Sequence, residues 1–159
     1  MLGVYLVAAE LSRLGFIVSP TSRSAAGADL LVTDQQCQKA WSVQVKTNKK
    51  PVNFWLVSAH AEKLKSDSHV YVFVNIRDGG RAEYVVAPSA HVAAKVVKSI
   101  SKTGSIWYSF FRNDRLFDGE GWELFGSPNV GLESDADEAS AAEELSNWTL
   151  TTNGINCST

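Results

Sequence analysis

GADLLVTDQQCQKAWSVQVKT, residues 27–47, is the stretch that decides the fold. Within it, Ala28–Thr33 is an apolar run between small and polar residues, the pattern of a strand, with Asp29 near its start. Residues 34–39 are polar and read as a turn. From Trp41 to Thr47 the chain alternates, with Trp41, Val43 and Val45 on one face and Ser42, Gln44 and Lys46 on the other. Two strands joined by a short turn make a hairpin. Cross-strand geometry can then bring Asp29 and Gln44-Val45-Lys46 to one sheet edge.

Working outward, Val4, Leu6, Val7, Leu11 and Leu14 recur at helical spacing and stop at Gly15, a good helix terminator. Phe16-Ile17-Val18 reads as a short strand, followed by a small-residue loop over 19–26. On the other side, residues 51–65 turn from apolar to helix-like. His69–Ile76 is nearly all apolar and β-branched, which suits a strand covered on both faces. Residues 78–81 form a turn, and Glu83–Ala87 a returning strand. Pro88–Ile100 fits a helix, with Ser89 as its cap and Val92, Ala93, Val96, Val97 and Ile100 as its apolar stripe. Ile106–Phe111 is a further strand or an aromatic closing segment, and Trp122, Leu124 and Phe125 are expected to pack back on the domain. This order predicts an α/β fold: a mixed β-sheet flanked by helices. Residues 1–126 form the domain and residues 127–159 an acidic tail, expected to be largely disordered for want of core formers.

Charge sharpens that division. All 15 Lys and Arg lie at or before Arg115, so the first 115 residues carry +7 and the remainder −9. A basic domain attracts phosphate, which makes nucleic acid the expected partner and leaves the tail free to compete for the same surface. No apolar run is long enough to span a bilayer, so no membrane partner is expected. The opening helix carries Glu10 and Arg13 and does not read as a secretory signal. Two cysteines, Cys37 and Cys157, make neither a disulfide framework nor a zinc motif, and a reducing cytoplasm is the default.

The motifs for phosphate loops, dinucleotide binding, zinc proteases and serine hydrolases are missing from the sequence. His60, His69 and His91 lack a ligand spacing and read as structural or exposed. Trp41, Trp107 and Trp122 are expected in the core, whereas Trp55, close to Lys49 and Lys50, is the one suited to stacking a base. Lys95, Lys98 and Lys102 read as a solvated helix face. What remains is Asp29, Gln44 and Lys46. Mg²⁺ takes oxygen ligands, and a neighbouring Lys can orient or deprotonate an attacking water, so these residue types suit metal-assisted phosphodiester hydrolysis.

The stretch VAAELSRLGFIVSPTSRSAAGADLLVTD followed by WSVQVKTN resembles the PD-(D/E)XK phosphodiesterase superfamily, which includes restriction enzymes and Holliday-junction resolvases. The likeness lies in the helix ending in Gly-Phe, the small-residue loop, the strand from Gly27 to Leu31 and the V-Q-V-K-T strand. Its Q-x-K form is similar to a branch of Mrr-like type IV restriction endonucleases. The resemblance implies a restriction-endonuclease-like core and a Mg²⁺- or Mn²⁺-dependent endonuclease acting on DNA. It makes Asp29, Gln44 and Lys46 the catalytic residues. Asp29, Gln44 and the Val45 carbonyl would be the metal ligands. Ser22, Arg23, Ser24, Thr47, Asn48, Lys49 and Lys50 would hold backbone phosphate, and a homodimer is admitted. The sequence departs from the pattern in two places. Gln44 replaces an acid, and the Gly-Glu pair that opens the first helix in many relatives is Gly3-Val4 here. Glu10, the single acid of this helix, is the remaining candidate ligand; six residues on, it is turned about 120° from Val4. The alternative is an inactive nucleic-acid-binding or interaction domain of the same fold.

Overall fold

A computed structural model describes residues 1–22, 27–50, 52–112 and 120–126. The first helix, α1 (Leu2–Arg13), leads into β1 (Ile17–Pro20), β2 (Leu30–Thr33) and β3 (Ala40–Asn48). After β4 (Phe54–Val57) and a 3₁₀ turn (Ala59–Glu62) come β5 (His69–Ile76), β6 (Ala82–Pro88) and α2 (Ser89–Lys95). Then follow β7 (Val97–Ile100), β8 (Ile106–Phe111) and a closing 3₁₀ turn, Trp122–Phe125. The predicted α/β class with a mixed sheet is what the chain adopts: five strands in the order β1-β2-β3-β5-β6, with only the β3–β5 pair parallel.

Side-chain alternation gives this sheet two faces with two cores. On one, Val43 and Val45 of β3 and Val70, Val72 and Val74 of β5 meet Val7 and Leu11 of α1. Phe16, Trp41 and Phe125 close that core, with ring centroids 5.6–5.8 Å apart. On the other, Tyr71 and Phe73 meet Trp55, Phe110 and Val92. Apolar side chains thus leave water on both sides of β5, which is why its sequence shows no polar alternation.

The second core is covered by an element the sequence reading did not separate, a three-stranded sheet in the order β4-β8-β7. The apolar part of residues 51–65 is the strand β4, and within the part expected to be helix-like the structure has the 3₁₀ turn Ala59–Glu62. The helix expected over Pro88–Ile100 stops at Lys95, and Val97–Ile100 pairs antiparallel with β8. The β-branched Val96 and Val97 lose rotamer freedom in a helix, and β8 supplies hydrogen bonds that a longer helix would have supplied itself. The expected stripe is accordingly divided: Val92 is buried, while Val97 and Ile100 are exposed. Lys98 lies on β7, so Lys95, Lys98 and Lys102 do not form one helix face. Ser89 is not a cap. Its hydroxyl donates to the Ser66 carbonyl and accepts from the Ser66 N–H, each at 2.8 Å, tying α2 to the loop before β5.

Two glycines are fixed by close approach. A Cβ on Gly3 would lie 1.9 Å from the Thr47 hydroxyl oxygen, so only glycine lets α1 sit this close to β3. Gly121 has φ +88°, and a Cβ there would meet the Val86 carbonyl at 2.7 Å. That approach lets the Glu120 carbonyl accept the Val86 N–H at 2.8 Å, covering the edge strand β6. Trp122 and Phe125 pack back as expected; Leu124 is exposed. The tail expected over 127–159 lies outside the described residues.

His69 is buried, with Nδ1 2.8 Å from the Ser42 hydroxyl and Nε2 enclosed without a hydrogen-bond partner among the described residues. Burial pushes its pKa below the ordinary histidine value, and His60 adds to the effect. His91 moves the same way, through burial and then Lys95. A lowered folded pKa means stability is complete above the unfolded value of about 6.5 and falls as pH drops from there toward the folded one. Thermal unfolding should therefore show a falling midpoint between about pH 7 and pH 5.5, with the slope reduced in His69→Gln.

Candidate functional site

The site begins where β2 ends. The β2–β3 ladder closes at Leu30 opposite Val43, extended by one hydrogen bond from the Asp29 N–H to the Val43 carbonyl at 2.8 Å. Beyond this point β3 runs on to Asn48 with no β2 residue paired to it. In a strand, a residue's N–H and C=O point to the same side and alternate along the chain. The next β3 residue directed at β2 is therefore Val45, whose N–H would be left unmet. Asp29 supplies the missing acceptor: its Oδ2 takes the Val45 N–H at 2.7 Å and also accepts from Nε2 of Gln44. At the other end of the loop, Thr21 holds the chain closed, donating its N–H to the Asp29 carbonyl at 3.0 Å and its hydroxyl to the Ala28 carbonyl at 2.6 Å.

Both of these bonds to Asp29 fall on Oδ2, so among the described residues the lone pairs of Oδ1 are left for a ligand. Because Nε2 of Gln44 is committed to Asp29, its Oε1 is the atom left to coordinate. The Val45 carbonyl lies on the same side of β3 as its N–H, by the same strand rule. Three oxygens of different kinds thus belong to adjoining residues where β2 leaves the edge of β3 open: one carboxylate, one amide, one backbone carbonyl. Such a set fits a hard cation that keeps several waters and takes further oxygens from a bound phosphate. It does not fit a tight, protein-only cage. Among the described residues no three His, Cys, Asp or Glu side chains come together in a way that could hold a metal.

Lys46 shares the Gln44 face of β3, two residues on, and is half-buried there. That face is turned away from α1 and toward Tyr71 and Phe73, the β5 partners of Gln44 and Lys46. Lys49 and Lys50 follow at the exposed end of the strand.

Other sequence candidates are placed differently. Glu10 pairs with Arg13 at 2.9 Å. Its charge also acts on Tyr84, whose phenol pKa is raised by burial first and then by Glu10 and Glu120. Tyr84 belongs to β6, three strand spacings from β2, or roughly 14 Å. The structure therefore joins Asp29 to Gln44 and Val45, sets Lys46 two residues on along the Gln44 face of β3, and leaves Glu10 paired with Arg13 near Tyr84. Val4, where the resemblance would put an acid, is partly buried against the core that α1 covers. Asn48 works inside the fold, donating to the Phe54 carbonyl at 2.9 Å and to the Asn75 side chain at 3.3 Å. Thr47 is the residue against which Gly3 rests. Arg23 and Ser24 lie outside the described residues, and Ser22 is exposed at the loop entrance.

Trp55 is not a stacking platform. It is 1% exposed, and its indole N–H donates to the Val74 carbonyl at 3.2 Å. Trp41 and Trp122 pack against the α1 core, whereas Trp107 is exposed, the reverse of the expectation for it. What sequence reasoning missed is the role of Asp29 in finishing the ladder. The signal was available: β2 is shorter than β3, and a carboxylate immediately before the shorter strand can cap the longer one.

No helix among the described residues is long and apolar enough to cross a membrane. Comparison of the chain with protein-family models finds no match, and comparison with curated proteins finds none either.

Proposed function

We propose that the chain hydrolyses DNA phosphodiester bonds with the help of Mg²⁺ or Mn²⁺, on a restriction-endonuclease-like core of the PD-(D/E)XK type. The observation that carries the reading is the carboxylate of Asp29, fixed by Gln44 and the Val45 N–H at the unpaired end of β3, with Lys46 on the same strand. The cation, held by Asp29, Gln44 and the Val45 carbonyl, would polarise the phosphate and acidify a water molecule. The chain's own residues do the rest. Asp29 is oriented before substrate arrives, so no reorganisation is needed at the moment of reaction. Lys46 places a positive charge where charge develops on phosphorus, and its ammonium can orient the water. Water adds to phosphorus, one P–O bond breaks, and the leaving oxygen takes up a proton. Lys49 and Lys50, exposed at the end of β3, supply sequence-independent attraction for the DNA backbone.

The test is conversion of supercoiled DNA to nicked circles by the purified chain with Mn²⁺. Lys46→Ala should slow it by about a hundredfold or more, in the range seen when a positioned proton-transfer or charge-stabilising group is removed. Equal rates for the two proteins would sink the mechanism.

One observation favours a second reading, a non-catalytic DNA-binding domain. The cluster has a single carboxylate, and hydrogen bonding within the fold already accounts for the position of Asp29. This version expects salt-dependent DNA binding but no heat on titration with Mn²⁺.

A further inference from the structure

The outer face of the three-stranded sheet is the feature that neither core nor candidate site uses. Along β4 the side chains of Trp55 and Val57 point inward, so Phe54 and Leu56 point out. The register places Phe54 beside Phe111 and Leu56 beside Ser109, with Val97 on the far side of Ser109 and Ser99 beside Trp107. Phe54, Leu56, Val97, Trp107 and Phe111 are each 40–49% exposed. Phe54 and Phe111 touch, with ring centroids 5.7 Å apart. The two remaining positions on this face are serines. No charged side chain points from it across the three strands.

A sheet with one face on a core ordinarily presents polar residues on the other. Here the alternation is apolar on both faces, and the exposed part of the five large side chains amounts to about 500 Å², in the range of patches that mark a contact surface. Its neutrality constrains the occupant. Nucleic acid would bring phosphates to a face with no cation. A protein surface with charges at its centre would lose their hydration against side chains that cannot pair them. The face that meets these requirements is one that is flat, uncharged and apolar over the same area, which is what this face offers to itself. Two-fold symmetry makes such a match automatic, since the same patch is used on both sides.

We infer that the outer face of β4-β8-β7 is a self-association surface, and that two copies of the chain pack these sheets face to face. At about 500 Å² the patch would form the apolar centre of an interface, and a polar rim would complete the roughly 800 Å² per partner that a stable one buries. The patch adjoins the end of β3 at one point, where Asn48 donates to the Phe54 carbonyl, but it uses neither Asp29, Gln44 nor Lys46, so it stands or falls independently of the nuclease reading.

Sedimentation equilibrium on the full chain tests it. A dimer mass is expected at about 10 µM, with dissociation near the micromolar range or tighter. Leu56→Glu and, as a second variant at the edge of the patch, Val97→Lys should each return the monomer mass with unchanged circular dichroism. A native chain that stays monomeric to about 200 µM overturns the inference, whether the face is covered by another part of the chain or by lipid. So does a dimer that both substitutions leave intact. DNA nicking by the Val97→Lys monomer separates this result from the proposed activity.

Discussion

Asp29→Asn should leave the protein folded and abolish its divalent-dependent cleavage of DNA, whereas Asp29→Ala should cost both. The difference lies in which oxygen does what. The Val45 N–H and the Gln44 amide both donate to Oδ2 of Asp29. An asparagine can place its single oxygen there and keep both bonds, while its NH₂ takes the place of Oδ1. The negative charge and the coordinating oxygen are lost together. Stability should then stay within about 1 kcal/mol, the net worth of an ordinary hydrogen bond, as urea unfolding would show. Nicking with Mn²⁺ should fall by about a hundredfold or more, the loss seen when a preorganised charge at the reacting centre is removed. Alanine keeps neither function. It leaves the Val45 N–H without its acceptor, at a cost of about 1–3 kcal/mol. Native cleavage rates in Asp29→Asn would show that the carboxylate is structural and nothing more.

Phe73→Ala is expected to have the largest effect on stability of any single truncation in the second core. The ring is fully buried and lies between three others, stacked on Phe110 at 4.6 Å and on Tyr71 at 5.8 Å, with Trp55 tilted at 5.0 Å. Truncation removes its transfer free energy and leaves a cavity among rings too rigid to close it, about 3–5 kcal/mol together. Against a total of roughly 5–15 kcal/mol, that is a large share of the margin that keeps the chain folded. Tyr5→Ala on the exposed side of α1 should change stability by little, about 0.5 kcal/mol. Phe73 is also the β5 partner of Lys46, so the same substitution loosens the floor beneath the candidate site. If Phe73→Ala unfolds at the native urea concentration, the account of this core is wrong.

The two substitutions act on opposite sides of a boundary between local and non-local information. α1, β1, β2, β3, β5 and β6 were legible because each carries a periodicity set by a neighbour of fixed kind: 3.6 for a helix on a sheet, 2 for a strand with two unlike faces, continuous for a strand buried on both. The meeting of Asp29 with Gln44 was legible for the same reason, since a hairpin with a six-residue turn permits few registers. Glu10 was less so. Its heading relative to Val4 follows from helix geometry, but only the packing of Gly3 on Thr47 fixes how the helix is rolled.

The sequence by itself determined the central hairpin, the buried β5 strand and the chemical kinds of residue at the unpaired end of β3, because local alternation and turn chemistry decide these. Tertiary structure alone decided that residues 97–100 leave the helix for a strand, that Trp55 turns inward, and that Asp29 completes the β3 ladder. Each of those depends on a partner far along the chain: β8 for Val97, the Val74 carbonyl for Trp55, the Val45 N–H for Asp29. A hydrogen bond offered from a distance outweighs a propensity of a few tenths of a kcal/mol per residue, and no local pattern records that offer.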